Sequence, residues 1–537
     1  MNTHVQMPSL DADFTRSADG FALQFTQGLH RALQTTPDAV ATVYEGRRQS
    51  FRVLADRVAR IAGGLSGLGV RPGDRVAMLS MNSDRYLEYY LACPWMGALV
   101  VPINFRWSVE EVIHGLNDCA ASVLFLGDGF GQHLPAIRAA CPTVRQVVFC
   151  GDGDLPEGCL ALDRLVAGSD PVADAMRGGD QTFGIFYTGG TTGKPKGVVL
   201  SHANILSSAL GIMVEGNFAN DPVGLHAAPM FHLADMMGTA CLLLRGGRHV
   251  MLAAYRPDVV SALVAEERIT DLLLVPVMMQ ALIEHPGFAE ADTSSLRAIL
   301  YGASPASESL LAKATGILPD VLFGQVYGMT ETAATNSMLR PADHRREAGK
   351  PRMRSAGRSF LHVRLRIALA DGTDAAIGEV GEILVRGPMV MQGYYNKPEA
   401  TAEALAGGWL HTGDLGYMDE GGYVFIVDRS KDMILSGGEN IFSLEVENAV
   451  AAHPAVQAVG VIGVPCDHWG ERVHAFVVLR PGGQLTLEEL DAHCRTRIAG
   501  YKVPRGLDLV DSLPMSSAGK LLKTELRRLH AAQMTGG

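Results

Sequence analysis

The chain has 537 residues, of which 47% are apolar and 19% charged, and its formal net charge is −11. That is several times the roughly 150 residues of one domain, and the composition suits large buried cores rather than disorder. The acidic balance argues against a partner held by general electrostatics, such as nucleic acid or an anionic membrane surface.

The first residues, Met-Asn-Thr-His-Val-Gln-Met-Pro, show no basic region followed by an apolar run, so no signal peptide is expected. No stretch reaches about 18 uninterrupted apolar residues, so no membrane span is expected either. The eight cysteines (Cys93, Cys119, Cys141, Cys150, Cys159, Cys241, Cys466 and Cys494) include no Cys-x-x-Cys pair. Buried thiols in a cytoplasmic protein are the reading, with no disulfide framework and no zinc site.

Strand-like runs at 75–79 and 99–104 flank a helical stretch around Tyr86 to Ala98, and the rhythm returns near 123–127, 144–151, 269–276 and 296–304. Strand, helix, strand with Gly or Pro at the junctions predicts parallel sheets covered by helices. From about residue 356 shorter, Gly-bounded β runs take over and predict a β-rich subdomain. A charged break at 428–432 follows, and then about 105 residues with their own α/β pattern. There Ser443 is placed to cap a helix with Val446, Ala449 and Val450 on its apolar face, and Thr486 with Glu489 spells a capping box. The expected fold class is α/β: a large N-terminal domain of helix-covered sheets plus a β-rich subdomain (1–428), a hinge at 429–431, and a small mobile α+β C-terminal domain (432–537).

The segment from Phe186 to Gly197 crowds glycines, threonines and two lysines between two strand-like runs. Glycine lets backbone N–H groups close around an anion, threonine donates hydrogen bonds and lysine adds charge. Thr188, Gly189, Gly190, Thr191, Thr192, Gly193, Lys194 and Lys196 therefore read as a phosphate loop. It is not the Walker type, because Thr188 stands where its first glycine belongs, Pro195 follows Lys194, and a strand follows where a helix is required.

With this loop the chain resembles the adenylate-forming superfamily of acyl-CoA synthetases, luciferases and peptide-synthetase adenylation domains. The likeness runs through nearly the whole chain and implies ATP, Mg2+ and coenzyme A as reactants and cofactors. Tyr327 to Thr332 resembles a second ATP motif, which implies Tyr327 and Gly328 at the adenine, Thr330 at the α-phosphate and Glu331 on magnesium. Gly302, Ala303 and Ser304 resemble the adenine wall. Gly408 to Asp414 resembles a ribose motif, implying that Asp414 and Arg429 hold the hydroxyls. Lys431 stands at the position of the family's hinge, and Gly437 and Gly438 at its pantetheine tunnel. Pro514 to Lys520 matches the motif whose lysine serves adenylation. Small departures are Gly189 in place of serine, Asp428 before Arg429 and Lys523 in place of arginine.

The resemblance implies that a carboxylate attacks the α-phosphate, giving acyl-AMP and pyrophosphate, and that rotation about Lys431 then admits a thiol. Positioning and neutralised charge carry such a step. The acyl pocket is assigned to His232, Asp235, Met236, Met279, Val326 and Met329. His232 stands directly after Phe231, in the slot where amino-acid-activating relatives place an aspartate, which argues against an amino acid substrate. Asp235 is expected either to meet a polar substrate group or to face solvent. The methionines point to a soft apolar wall and so to a medium- or long-chain fatty acid. The alternatives are an aryl-propenoic acid of the hydroxycinnamate type and a stand-alone enzyme loading a carrier protein. A homodimer is within the range of the family.

Overall fold

The computed structural model describes residues 22–188, 195–216, 218–304, 306–344, 352–429, 431–436, 439–466, 469–516 and 521–535. It divides into two compact units. The first comprises the chain up to Met353 with Ser359–Arg364 and Val385–Leu410, and the second Arg354–Arg358, Leu365–Leu384 and everything from His411 on. The β-rich strands thus group mainly with the C-terminal part, whereas the sequence suggested a boundary at 428.

Among the described residues, the first unit holds two sheets. One runs in the order Gly393–Tyr394, Lys196–Ser201, Thr182–Thr188, Leu99–Pro102, Arg75–Leu79, Val123–Leu126, Gln146–Phe149, Leu160–Ala161. Its central strands are parallel, and Leu99–Pro102 and Val123–Leu126 are uninterruptedly apolar, as suits strands buried on both faces. The helix Asp84–Met96 is buried along its whole length, its Asp84 and Glu88 paired with Arg47 and Arg57.

The second sheet positions the site. Strands Val223–His226, Asp271–Leu274, Ala298–Gly302 and Leu322–Tyr327 are parallel neighbours, with Gly224 opposite Asp271, Asp271 opposite Ala298 and Ala298 opposite Leu322. Side chains alternate across a strand, so each strand contributes to two faces. Leu225, Leu272, Leu274, Ile299 and Tyr301 enter an apolar core with Val260, Met279, Leu282 and Leu311 from three covering helices. Gly224, His226, Asp271, Leu273 and Leu300 line a cavity on the other face, with Ile212 and Leu242 from helices His202–Glu215 and Leu233–Arg245.

In the second unit, Arg364–Ala368, Gly381–Arg386, Leu410–Met418 and Val424–Arg429 form a four-stranded sheet. Val456–Cys466 and Gly470–Leu479 form a long antiparallel pair, and Gly506–Leu509 joins parallel to the latter. The expected capping box forms at Thr486 and Glu489. Ser443 does not cap: its helix, Ser443–Ala451, starts after Phe442, and the Ser443 hydroxyl donates instead to Asp428 Oδ2 at 2.7 Å. Val446, Ala449 and Val450 are buried as the pattern predicted. Among the described residues, no helix is long and apolar enough to cross a membrane.

Candidate active site

The segment read as a phosphate loop lies in sequence between two antiparallel strands. Thr188 ends Thr182–Thr188 opposite Lys196, which begins Lys196–Ser201, and its hydroxyl donates to the Lys196 carbonyl at 3.5 Å. Gly189, Gly190, Thr191, Thr192, Gly193 and Lys194 lie outside the described residues. Lys196 Nζ sits 5.0 Å from the centroid of the Tyr394 ring, a cation–π distance. The Tyr394 hydroxyl in turn donates to Glu331 Oε1 at 2.8 Å. Burial, followed by the Glu331 charge, pushes the Tyr394 phenol far up, so it stays a donor. Lys196 and Glu331, from two distant motifs, are thereby joined through a tyrosine that sequence reading missed; its setting in Gly393-Tyr394-Tyr395 gave no chemical signal.

Glu331 lies in the turn Thr330–Thr332 with 7% exposure, and its carbonyl accepts the Met391 amide at 2.8 Å. The turn is tight. A Cβ on Gly328 would stand 2.1 Å from the Ala334 carbonyl oxygen, so only glycine fits. Ala333 and Ala334 both carry positive φ (44° and 68°), a strain that non-glycine residues accept at sites the surroundings over-determine. Val326, Tyr327 and Met329 are half-buried at the end of this strand and just beyond it.

Gly302 closes Ala298–Gly302, and a Cβ there would lie 2.3 Å from the Val326 carbonyl oxygen. Ala303 follows at φ 65°, with Ser304 half-buried beyond it. Tyr301 points into the opposite core, where its hydroxyl meets His344 Nε2 at 2.8 Å.

In the second unit, Asp414 is 5% exposed and accepts an ion pair from Arg429 Nε at 3.1 Å across paired strands. Lys431 is exposed on the next turn. Gly437, Gly438 and Lys520 lie outside the described residues. Lys523 pairs with Glu447 at 2.8 Å and donates to the Ser443 hydroxyl.

His232 is the N-cap residue of Leu233–Arg245 and is half-buried, its ring 4.0 Å from that of Phe231. The loop before it is held by buried Asn82, which donates to the His226 and Ala228 carbonyls (3.1 and 2.8 Å) and accepts the Met230 amide at 2.7 Å. Of the assigned acyl-pocket residues, Asp235 lines the cavity, with Met237 beside it in place of Met236. Met279 packs into the apolar core on the opposite face of the sheet, because the helix Pro276–Glu284 covers that face. Asp235 does not face solvent. It is 3% exposed, and its Oδ2 lies 2.7 Å from His226 Nδ1. His226 Nε2 lies 3.0 Å from His249 Nδ1, with the two ring planes parallel within 1°. Burial, then the neighbouring His226, lowers the His249 pKa far enough to keep it neutral.

The cavity is partly open and holds about 30 Å3 of free space. Ile212, Leu242, Leu273 and Leu300 make it apolar, while His226, Asp235 and Asp271 supply its polar groups. His226, His249 and Asp271 escaped the sequence reading because each stands in an ordinary strand, and only sheet pairing brings them onto one face.

Residues 29–395 match the AMP-binding enzyme family and residues 445–520 its C-terminal domain. A feruloyl-CoA synthase from an Amycolatopsis species is 42% identical over 93% of this chain and 97% of its own length. The fatty acid–[acyl-carrier-protein] ligase ScoC of Streptomyces coeruleorubidus is 36% identical over 92% of this chain and 94% of its own. Among solved structures, ATP-bound MatB from Rhodopseudomonas palustris superposes with a TM-score of 0.86 at 29% identity, covering 95% of this chain and 99% of that one.

Proposed function

The chain belongs to the AMP-binding enzyme family of adenylate-forming acid–CoA ligases, and within it we propose that the acid is an aryl-propenoate of the hydroxycinnamate type. It is an acid–thiol ligase that uses ATP and coenzyme A, with Mg2+ standard for the family. In our reading Glu331 would hold the ion, since a buried carboxylate oxygen is the hard donor that Mg2+ takes. The ion neutralises phosphate charge when bound. Lys196 and Thr330 would add donors on the same side, Asp414 and Arg429 would hold the ribose, and His232 would stand at the carboxylate end of the acid.

The observation that carries the substrate reading is the cavity itself. Its walls are leucines, yet it carries buried His226, Asp235 and Asp271. A long alkyl chain would press its methyl end against buried polar groups, which is unfavourable. A flat ring on a short propenoate arm fills an apolar slot and can carry a polar substituent. The 42% identity to an enzyme named feruloyl-CoA synthase supports the same choice. Of the methionines that suggested a fatty acid, Met237 lines the cavity and Met236 and Met279 do not.

The test is pyrophosphate release with ATP and Mg2+ across hydroxycinnamic, benzoic and C4 to C18 fatty acids, each with and without CoA. Hydroxycinnamates leading the panel, with acyl-CoA formed only when CoA is added, support the proposal; fatty acids leading it sink it. A second reading, transfer to a carrier-protein thiol, is favoured by the 36% identity to ScoC. Adenylate that forms but is not discharged by CoA would favour it.

A further inference from the structure

The polar groups of the cavity are not equivalent. Asp235 is engaged by His226, and His226 by His249. Asp271 is the one whose acceptor capacity is left over. It is 5% exposed and its Oδ2 accepts the Thr270 hydroxyl at 2.5 Å, while Oδ1 has no hydrogen bond of ordinary geometry among the described residues. A buried acceptor without a donor costs free energy, and a cavity that retains one is shaped for a ligand that brings the donor.

Its depth is set by register. Asp271 stands opposite Ala298, four residues before Gly302 on the neighbouring strand, or about 13 Å along the sheet. Leu273 and Leu300, directly opposite one another, lie between these two levels. The strands are parallel, so Gly302 and Tyr327 stand at the C-terminal ends of theirs, and Asp271 stands at the start of its own. An acid with its carboxylate at the strand ends and its ring against Leu273 and Leu300 points its far end at Asp271.

We propose that Asp271 is a specificity-determining residue that accepts the hydrogen bond of a ring hydroxyl at the end of the acid remote from its carboxylate. The proposal rests on the aryl-acid reading above. A hydroxyl suits the place better than an alkyl ammonium, because Ile212, Leu242, Leu273 and Leu300 line the cavity and a full charge is far costlier to desolvate than a neutral donor. Burial raises the Asp271 pKa to about 6, with the Thr270 hydroxyl, the Ala219 amide and Arg245 holding the rise back. At neutral pH and above it is thus an ionised, acceptor-only group.

The test is the ratio of kcat/KM for 4-hydroxycinnamate to that for cinnamate, read by pyrophosphate release in wild type, Asp271→Leu and Asp271→Asn. Wild type should favour the hydroxylated acid. The ratio should fall roughly ten- to hundredfold in Asp271→Leu and roughly fivefold in Asp271→Asn, which keeps a neutral acceptor. Thermal melts identify the variants that fold, and the isosteric Asn variant carries the test if the Leu variant does not. An unchanged ratio in a folded variant, or a wild type indifferent to the hydroxyl, overturns the assignment of Asp271 alone. A wild type that activates fatty acids and neither cinnamate overturns the substrate reading, and this assignment with it.

Discussion

The Tyr394 hydroxyl donates to Glu331 Oε1 at 2.8 Å while the Lys196 ammonium rests over the same ring. One side chain thus fixes an anion and a cation that come from separate motifs. A partner that orients a metal-binding carboxylate typically contributes ten- to a hundredfold in metal affinity or activity. Tyr394→Phe should therefore raise the Mg2+ concentration for half-maximal pyrophosphate release about tenfold or more, with Glu331→Gln more severe. A Tyr394→Phe enzyme with an unchanged Mg2+ profile would contradict the role given to Glu331.

Gly238 lines the cavity from the helix Leu233–Arg245, and a Cβ built on it meets nothing within 4 Å. Gly238→Ala should stabilise the protein by about 0.5–1 kcal/mol, since glycine is a poor interior helix residue. Gly238→Leu should fill the slot and cut kcat/KM for hydroxycinnamates at least tenfold while sparing shorter acids such as benzoate. Parallel losses on long and short acids would show that the cavity does not receive the acyl group.

The Asp271 pKa is raised by burial to about 6, above the roughly 3.9 of an unfolded chain. A raised folded value means that this carboxyl favours the fold fully below about pH 4, and that the benefit is lost as the pH climbs through 6. Arg245 is the charged neighbour that offsets part of this, and the Cys241 thiol lies close enough to be raised in its turn. Asp271→Asn should accordingly be more stable than wild type at pH 8, by roughly 1–3 kcal/mol, and no more stable at pH 4. Urea denaturation at the two pH values decides it. A variant more stable at pH 4 than at pH 8, each relative to wild type, would reverse the sign.

Lys523 Nζ pairs with Glu447 at 2.8 Å, both side chains being largely buried, and Glu447 Oε1 also accepts the Val461 amide at 3.0 Å. Burial raises the Glu447 pKa and Lys523 pulls it back. Lys523→Met would leave a buried carboxylate without its cation, at a cost of about 3 kcal/mol. Lys523→Met combined with Glu447→Leu should recover much of that loss, because the uncompensated charge is gone. Guanidinium denaturation of the two variants measures the difference, and equal losses would refute the pairing argument.

The sequence disclosed what local chemistry determines. Alternation of apolar runs with amphipathic stretches located the strands around Arg75, Val123, Asp271 and Ala298, and the Thr486 capping box formed as spelled. It disclosed less where partners are chosen in three dimensions. Ser443 is the residue type of a cap, but the helix begins at Ser443 itself, and its hydroxyl is engaged by Asp428 and Lys523 instead. Met279 looks like pocket lining by its neighbours in sequence, yet its helix packs on the face of the sheet away from the cavity. Tyr394, His226 and Asp271 carry no motif at all. Their positions follow from strand register, which a single chain of letters leaves unstated.

The parallel strands separate two tasks along their length. Gly302 and Tyr327 stand where their strands end, and Asp271 stands where a neighbouring strand begins, about four residues away by register. Changes at the strand starts are therefore insulated by layers of leucine from the phosphate chemistry. A lineage or a laboratory can retune which acid is taken without rebuilding how it is activated.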